Sequence, residues 1–270
     1  MRGTALSRHR RPPMFKAVRI SILLLILFFV SVSTWLTQSR STDWNDSLWV
    51  KIYPINGDGS AQTGEYIRSL DVEDFRAIEE FLAREADRFG HALSRPVRME
   101  LGQEIAEQPP ALPGERPGRF AIKLWSLKLR WWASDVTDAQ DKPDPDVRIF
   151  VRYHSPRDEV LLENSVGLQK GMVGIVNAYA SRRHAGANNV IIAHEFLHTL
   201  GATDKYDPAT GVPEFPAGFA EPERSPRFPQ RLAEIMGGRI PLADDDAVIP
   251  KSLRYVIIGD GTAREIRLAD

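Results

Sequence analysis

The chain has 270 residues, 35 basic and 36 acidic side chains, and no cysteine. Beyond the N-terminal segment, about 230 residues suit one domain or one domain with an appendage, and the missing thiols exclude disulfides and any cysteine-ligated metal. The near-zero net charge hides an asymmetry, because the first 40 residues hold seven basic and no acidic side chains, leaving 28 basic against 36 acidic for the remainder. An acidic main body has no electrostatic case for a nucleic-acid partner.

Residues 1–19 form a basic tail carrying Arg2, Arg8, Arg10, Arg11, Lys16 and Arg19, suited to anionic lipid headgroups. Ile20 to Leu36 is an uncharged run of 17 residues rich in Leu, Ile, Phe and Val. As a helix it would span about 26 Å, enough to predict a transmembrane signal-anchor. The preceding positive charges predict a cytoplasmic N-terminus, hence a single-pass membrane protein whose folded part is periplasmic or extracellular. A cleaved signal peptide competes with this reading, although Ser31 and Ser33 make no clear small-x-small site. Residues 37–47 then read as a linker and 48–270 as the folded domain.

Within that domain Trp49 to Ile55 predicts a strand, stopped by Asn56-Gly57-Asp58-Gly59. Phe75, Ile78, Phe81 and Leu82 have amphipathic spacing, which predicts a helix over Asp71 to Phe89 capped by Asp71. Val97 to Leu101 predicts a short strand, and the four prolines of Gln108 to Gly118 predict a loop. Phe120 to Ser134 predicts a helix that is apolar over much of its surface, with buried packing of its tryptophans as the default and a groove or membrane contact as the alternatives. Val147 to His154 alternates as a strand does, placing His154 at a strand end; His184 reads as loop surface. Met172 to Ala180 predicts a strand, either core or the edge of a cleft that pairs with an extended peptide.

The densest chemistry lies at His194-Glu195-Phe196-Leu197-His198, continuing to Gly201 and Asp204 as H-E-x-x-H-x-x-G-x-x-D. Residues four apart share a helix face, so the imidazoles of His194 and His198 can hold one ion together. Glu195 projects beside them, able to polarise a water without being a ligand. Gly201 lets the chain leave the helix through a left-handed residue, so that Asp204 turns back as third ligand. The surrounding Val190, Ile191, Ile192, Ala193, Phe196, Leu197 and Leu200 predict a central buried helix from Val190 to Leu200, with Gly186, Asn188 and Asn189 as its N-terminal punctuation. Further on, Glu234-Ile235-Met236-Gly237-Gly238 places a soft, adaptable methionine in a glycine-bearing turn.

Together these two segments resemble the zincin metallopeptidases, and in particular the metzincins with Asp as third ligand, the snapalysin-like variant. The resemblance covers roughly residues 172–236. It implies that His194, His198 and Asp204 are zinc ligands, Glu195 the general base and Met236 the Met-turn residue. It also implies an α+β fold with a mixed twisted sheet, a buried active-site helix and a C-terminal helical part, here following the transmembrane helix. Two imidazoles and a carboxylate suit an open tetrahedral Zn²⁺ site; iron takes the same set, but the adjacent glutamate favours hydrolysis. The expected substrate is a peptide or protein, hydrolysed outside the cytoplasm by a membrane-anchored enzyme. A catalytically silent zincin-fold binding module at the membrane is the other reading.

Tyr206 and Tyr255 are candidates for polarising a substrate carbonyl. Asp207 to Arg231, with six prolines in 25 residues, predicts a long loop that could form a cleft wall. Asp244 to Asp246 reads as a solvated turn or a calcium site. Ser252 to Ile258 and Thr262 to Leu268 predict two short terminal helices.

Overall fold

The computed structural model describes residues 18–25, 28, 44–114, 118–137, 142–156, 166–168 and 172–269. The chain divides into two compact units, residues 1–40 and 41–270. In the first, residues 18–25 are helical (α1). Among the described residues no helix is long and apolar enough to cross a membrane. The transmembrane helix expected over 20–36 is therefore not found, and the single-pass membrane placement falls with it. Positions 26, 27 and 29–43 of that segment and its linker, like the basic tail up to residue 17, lie outside the described residues.

The second unit begins earlier than the predicted boundary at residue 48. Trp44 is already buried, and its indole N–H donates to Ile266 O at 2.9 Å. The unit is α+β, built on a five-stranded sheet in the order β2-β1-β3-β5-β4. Its strands are β1 (Leu48–Asn56), β2 (Val97–Leu101), β3 (Val147–His154), β4 (Val166–Leu168) and β5 (Val173–Tyr179). All pairings are parallel except β4–β5, so one antiparallel strand closes the edge. Parallel strands need crossovers that cover both faces, and their sequences lose simple alternation because both faces are buried. Val50 and Ile52 of β1, Ile149 and Val151 of β3, and Val176 and Ala178 of β5 belong to one core. Tyr53, Ile55, Phe150, Val173 and Ile175 belong to the other.

Helices α2 (Ala61–Arg68), α3 (Arg76–Arg88) and α5 (Ala185–Leu200) pack on the first face. Asp71 caps as predicted, but a 3-10 turn over Val72–Phe75 precedes α3, with Asp71 and Asp74 forming a capping box. Helix α4 (Arg119–Thr137) covers the second face through Trp125, Leu129, Trp132 and Ala133. The default of buried tryptophans holds for Trp125 and Trp132 and fails for Trp131, which faces solvent.

Two further expectations change. Strand β5 is internal, flanked by β3 and β4, so its edge is not free for a peptide. The terminal helical part is mostly absent. Ser252 to Ile258 forms a 3-10 turn over Leu253–Tyr255 and then strand β9 (Val256–Ile257), while helix α6 (Asp260–Glu265) ends before Ile266. Two-residue strands β6 (Ala233–Glu234), β7 (Ile240–Pro241) and β8 (Ala247–Val248) complete the unit, β6 pairing with β9 and β7 with β8. Asp244, Asp245 and Asp246 are exposed in the β7–β8 connection, where Leu242 and Ala243 N–H groups donate to Asp246 O.

Candidate metal centre

Helix α5 is buried along most of its length because its apolar residues surround it, and it packs against β5, β4 and β3. It begins five residues before the predicted start. Asn188 and Asn189 therefore lie within it, and their buried amides serve as docking groups. Asn188 exchanges two hydrogen bonds with the Tyr179 backbone, at 3.2 and 2.9 Å, and Asn189 donates to Asp74 O at 2.8 Å. At the far end Gly201 adopts φ 112°, a left-handed cap open to glycine without strain. Gly201 N–H donates to Leu197 O and Ala202 N–H to the same carbonyl, which turns the chain back toward the helix.

That reversal brings Asp204 to the histidines. His194 Nε2 and His198 Nε2 are 3.0 Å apart, and Asp204 Oδ1 is 3.1 Å from each. The opposite ring nitrogens are engaged elsewhere, His194 Nδ1 with Ile235 O at 2.9 Å and His198 Nδ1 with Ala202 O at 2.8 Å. A carbonyl only accepts, so each Nδ1 carries a proton and both Nε2 atoms turn inward toward Asp204. Three such atoms this close require a positive charge among them, carried by protons or by a metal ion. The donor set fits a metal ion: nitrogen and oxygen ligands of a tetrahedral zinc, each about 2.0–2.1 Å from it, stand about 3.3 Å apart. His194, Glu195 and His198 likewise place one ligand atom each within 4.8 Å of the others, a group able to hold a metal ion. Asp204 Oδ1, 3.1 Å from both Nε2 atoms, lies at the same place.

Burial opposes ionisation of Asp204, yet hydrogen bonds with both imidazoles hold its carboxyl well below the usual carboxylate range. Burial would lower His194, and the Asp204 hydrogen bond and the Glu195 charge reverse this to a net rise. Glu195 is buried, and that burial raises it against the pull of the two histidines. Its Oε2 is enclosed and has no hydrogen-bond partner among the described residues, a costly arrangement unless a reacting water or ligand completes it. Beside it runs β4: a Cβ on Gly167 would meet His198 Cβ at 2.5 Å, Glu195 O at 2.6 Å and Glu195 Oε2 at 3.4 Å. Only glycine lets this strand approach so closely.

Of the remaining predicted residues, Tyr206 lies at the site and Tyr255 does not join it. The Tyr206 ring is 6.4 Å from that of His194. Burial, then the charges of Asp204 and Glu195, push its hydroxyl up to about 12, so it remains a proton donor at neutral pH. Tyr255 is 49% exposed in the 3-10 turn before β9, in the segment that packs against Gly186 in the first turn of α5. Met236 is wholly buried; its N–H donates to Glu234 Oε2 at 2.7 Å, and its carbonyl accepts from Lys205 N–H at 2.9 Å. His154 meets Asn177 Oδ1 at 3.3 Å, and His184 packs its ring on Tyr179; neither reaches the triad.

Sequence reasoning missed the residues that hold the ligands in place. Glu234 has no exposed surface, and its carboxylate accepts from Met236 N, Gly237 N, Gly259 N and Thr262 Oγ1. Glu265 brackets Asp204, accepting from Thr203 N and Oγ1 and from Lys205 Nζ on its two sides. No spacing announces these roles, since Gly259 and Thr262 lie 25 and 28 residues from Glu234, and Thr203 and Lys205 lie 62 and 60 from Glu265.

No protein-family model matches the chain, and no curated protein matches it significantly. Among solved structures, one described as a chaperone–substrate complex is similar at 14% identity and TM-score 0.37, covering 83% of this chain and 35% of that one. OgpA from Akkermansia muciniphila is similar at 11% identity and TM-score 0.35, covering 82% and 63%. Its catalytically inactive form with an O-glycopeptide substrate matches at 11% and 0.35, covering 80% and 58%. The chain thus spans less than two thirds of each of these, and likeness this faint assigns neither fold nor activity.

Proposed function

We propose that this protein is a zinc-dependent peptidase of metzincin-like design. One observation carries the reading: two imidazole Nε2 atoms and a carboxylate oxygen form a triangle of 3.0–3.1 Å edges beside the buried Glu195 Oε2, which has no partner among the described residues. His194, His198 and Asp204 would hold the ion, which supplies a Lewis acid with an open position for water and the scissile carbonyl. Glu195 accepts the proton of the attacking water and passes it to the leaving amine. Its raised affinity for protons suits that exchange. Tyr206, kept protonated, offers an O–H to the developing oxyanion. Strand β4 runs beside Glu195, and no described strand pairs with its outer edge, so an extended peptide has a backbone ladder to join.

Metal analysis of the purified protein combined with hydrolysis of an unfolded protein tests the reading. The expected result is one zinc per chain and activity that drops at least about a thousandfold in Glu195→Gln, with zinc retained. Zinc in both versions with hydrolysis in neither would instead leave a silent binding module, and absence of any bound metal would end the proposal.

A further inference from the structure

Helix α4 exposes an apolar ridge that neither fold nor metal centre uses. Phe120, Leu124, Leu127 and Trp131 are 80%, 59%, 56% and 69% exposed. Their spacing of i, i+4, i+7 and i+11 confines them to a stripe about 60° wide, at 100° per residue. The opposite face is committed to the sheet through Trp125, Leu129 and Trp132, so the stripe points outward. Positive side chains flank it on both sides, Lys123 and Arg130 along one edge and the exposed Lys128 along the other. Asp135, near the C-terminal end, is the one acidic residue of the helix. This local charge runs against that of its surroundings, because residues 41–270 as a whole carry more acidic than basic groups.

We infer that α4 is a docking helix for an anionic lipid surface, lying in the interface plane with its stripe among the acyl chains. The charge pattern selects this occupant. Lysines on both flanks of a convex Phe-Leu-Leu-Trp ridge can lie their stems along the apolar surface and lift their ammonium groups to phosphate. A bilayer accepts a convex ridge without any matching groove. The inference is independent of the metal reading and of the discarded transmembrane helix.

Co-sedimentation with vesicles tests it, using residues 41–270, the unit that carries the entire described buried core and lacks the N-terminal apolar run. Phosphatidylcholine vesicles containing roughly one third phosphatidylserine should take up the protein at least about tenfold better than pure phosphatidylcholine, and less as salt rises. Replacing Leu124, Leu127 and Trp131 together by serine should lower uptake by about thirtyfold or more. The pair Lys123→Glu and Lys128→Glu, wholly on the surface, should lower it about tenfold on anionic vesicles alone. Each variant is read beside its melting transition. Equal uptake by both vesicle types, or unchanged uptake by either variant that keeps its transition, overturns the inference. So does absent uptake in a protein whose concentration-dependent dimer the serine variant dissolves, which would make the ridge a contact between copies of this chain.

Discussion

Glu234 shows how much of the centre depends on a residue that bears no ligand. Its four hydrogen bonds fix the turn whose Ile235 carbonyl orients His194. Glutamine preserves the shape but turns an amide N–H₂ toward groups that already donate. Glu234→Gln should cost about 2–4 kcal/mol of stability, measured by urea unfolding, and weaken metal affinity about 10–100-fold, measured by competition with a chelator. A stable variant with unaltered affinity would show that the turn stands without the charge. At this scale the approach of Asp204 to His194 and His198 was legible, because the geometry of a helix face and a glycine exit is local. The roles of Glu234 and Glu265 were not, since the bonds of Glu234 to Gly259 and Thr262 and those of Glu265 to Thr203 and Lys205 close across the fold. Tyr255 could not be told from Tyr206, because side-chain type alone carries no position.

Among the elements, β4 and α5 meet closely beside Glu195 and His198. A methyl group on Gly167 would fall inside van der Waals distance of the His198 side chain and the Glu195 backbone. Gly167→Ala therefore forces strand and helix apart. We expect hydrolytic kcat/KM to fall at least about tenfold while stability drops by about 1–3 kcal/mol, with the far-UV spectrum unchanged; full activity would mean that the strand shifts freely. Elements with a strong period were legible: β1, β2, β3, α3 and α4 lie close to where apolar spacing put them. The start of α5 was not, because asparagines read as punctuation when their buried partners, Tyr179 and Asp74, are unseen. The C-terminal segment lacked a helical period long enough to resist the pairing of β6 with β9. The N-terminal run shows the reverse limit, since hydropathy alone predicted a span that the described helix does not form.

Across the whole unit, Asp58 joins the turn after β1, the first turn of α2 and the chain leaving β3. It accepts from Ser60 N and Thr63 Oγ1 at 2.9 and 3.1 Å and from Ser155 N at 2.6 Å. Burial opposes ionisation, but together these bonds outweigh it and hold its pKa at about 2 against an ordinary 3.8. A depressed folded-state pKa contributes stability above the unfolded value and loses it as pH falls through the folded one. Wild type should therefore exceed Asp58→Asn in urea midpoint at pH 6, with the gap narrowing as pH falls below about 4 toward 2. A gap independent of pH would assign the effect to shape alone. Because Asp58 is exposed, the difference should be modest.

Helix α6 supports the centre twice, through Thr262 on Glu234 and Glu265 on the neighbours of Asp204. During synthesis both histidines leave the ribosome long before this clamp exists. A nascent chain halted short of residue 265 would thus present the two imidazoles with Asp204 not yet held by its neighbours, and any cation capture at this place would be coupled to completion of this stretch of translation.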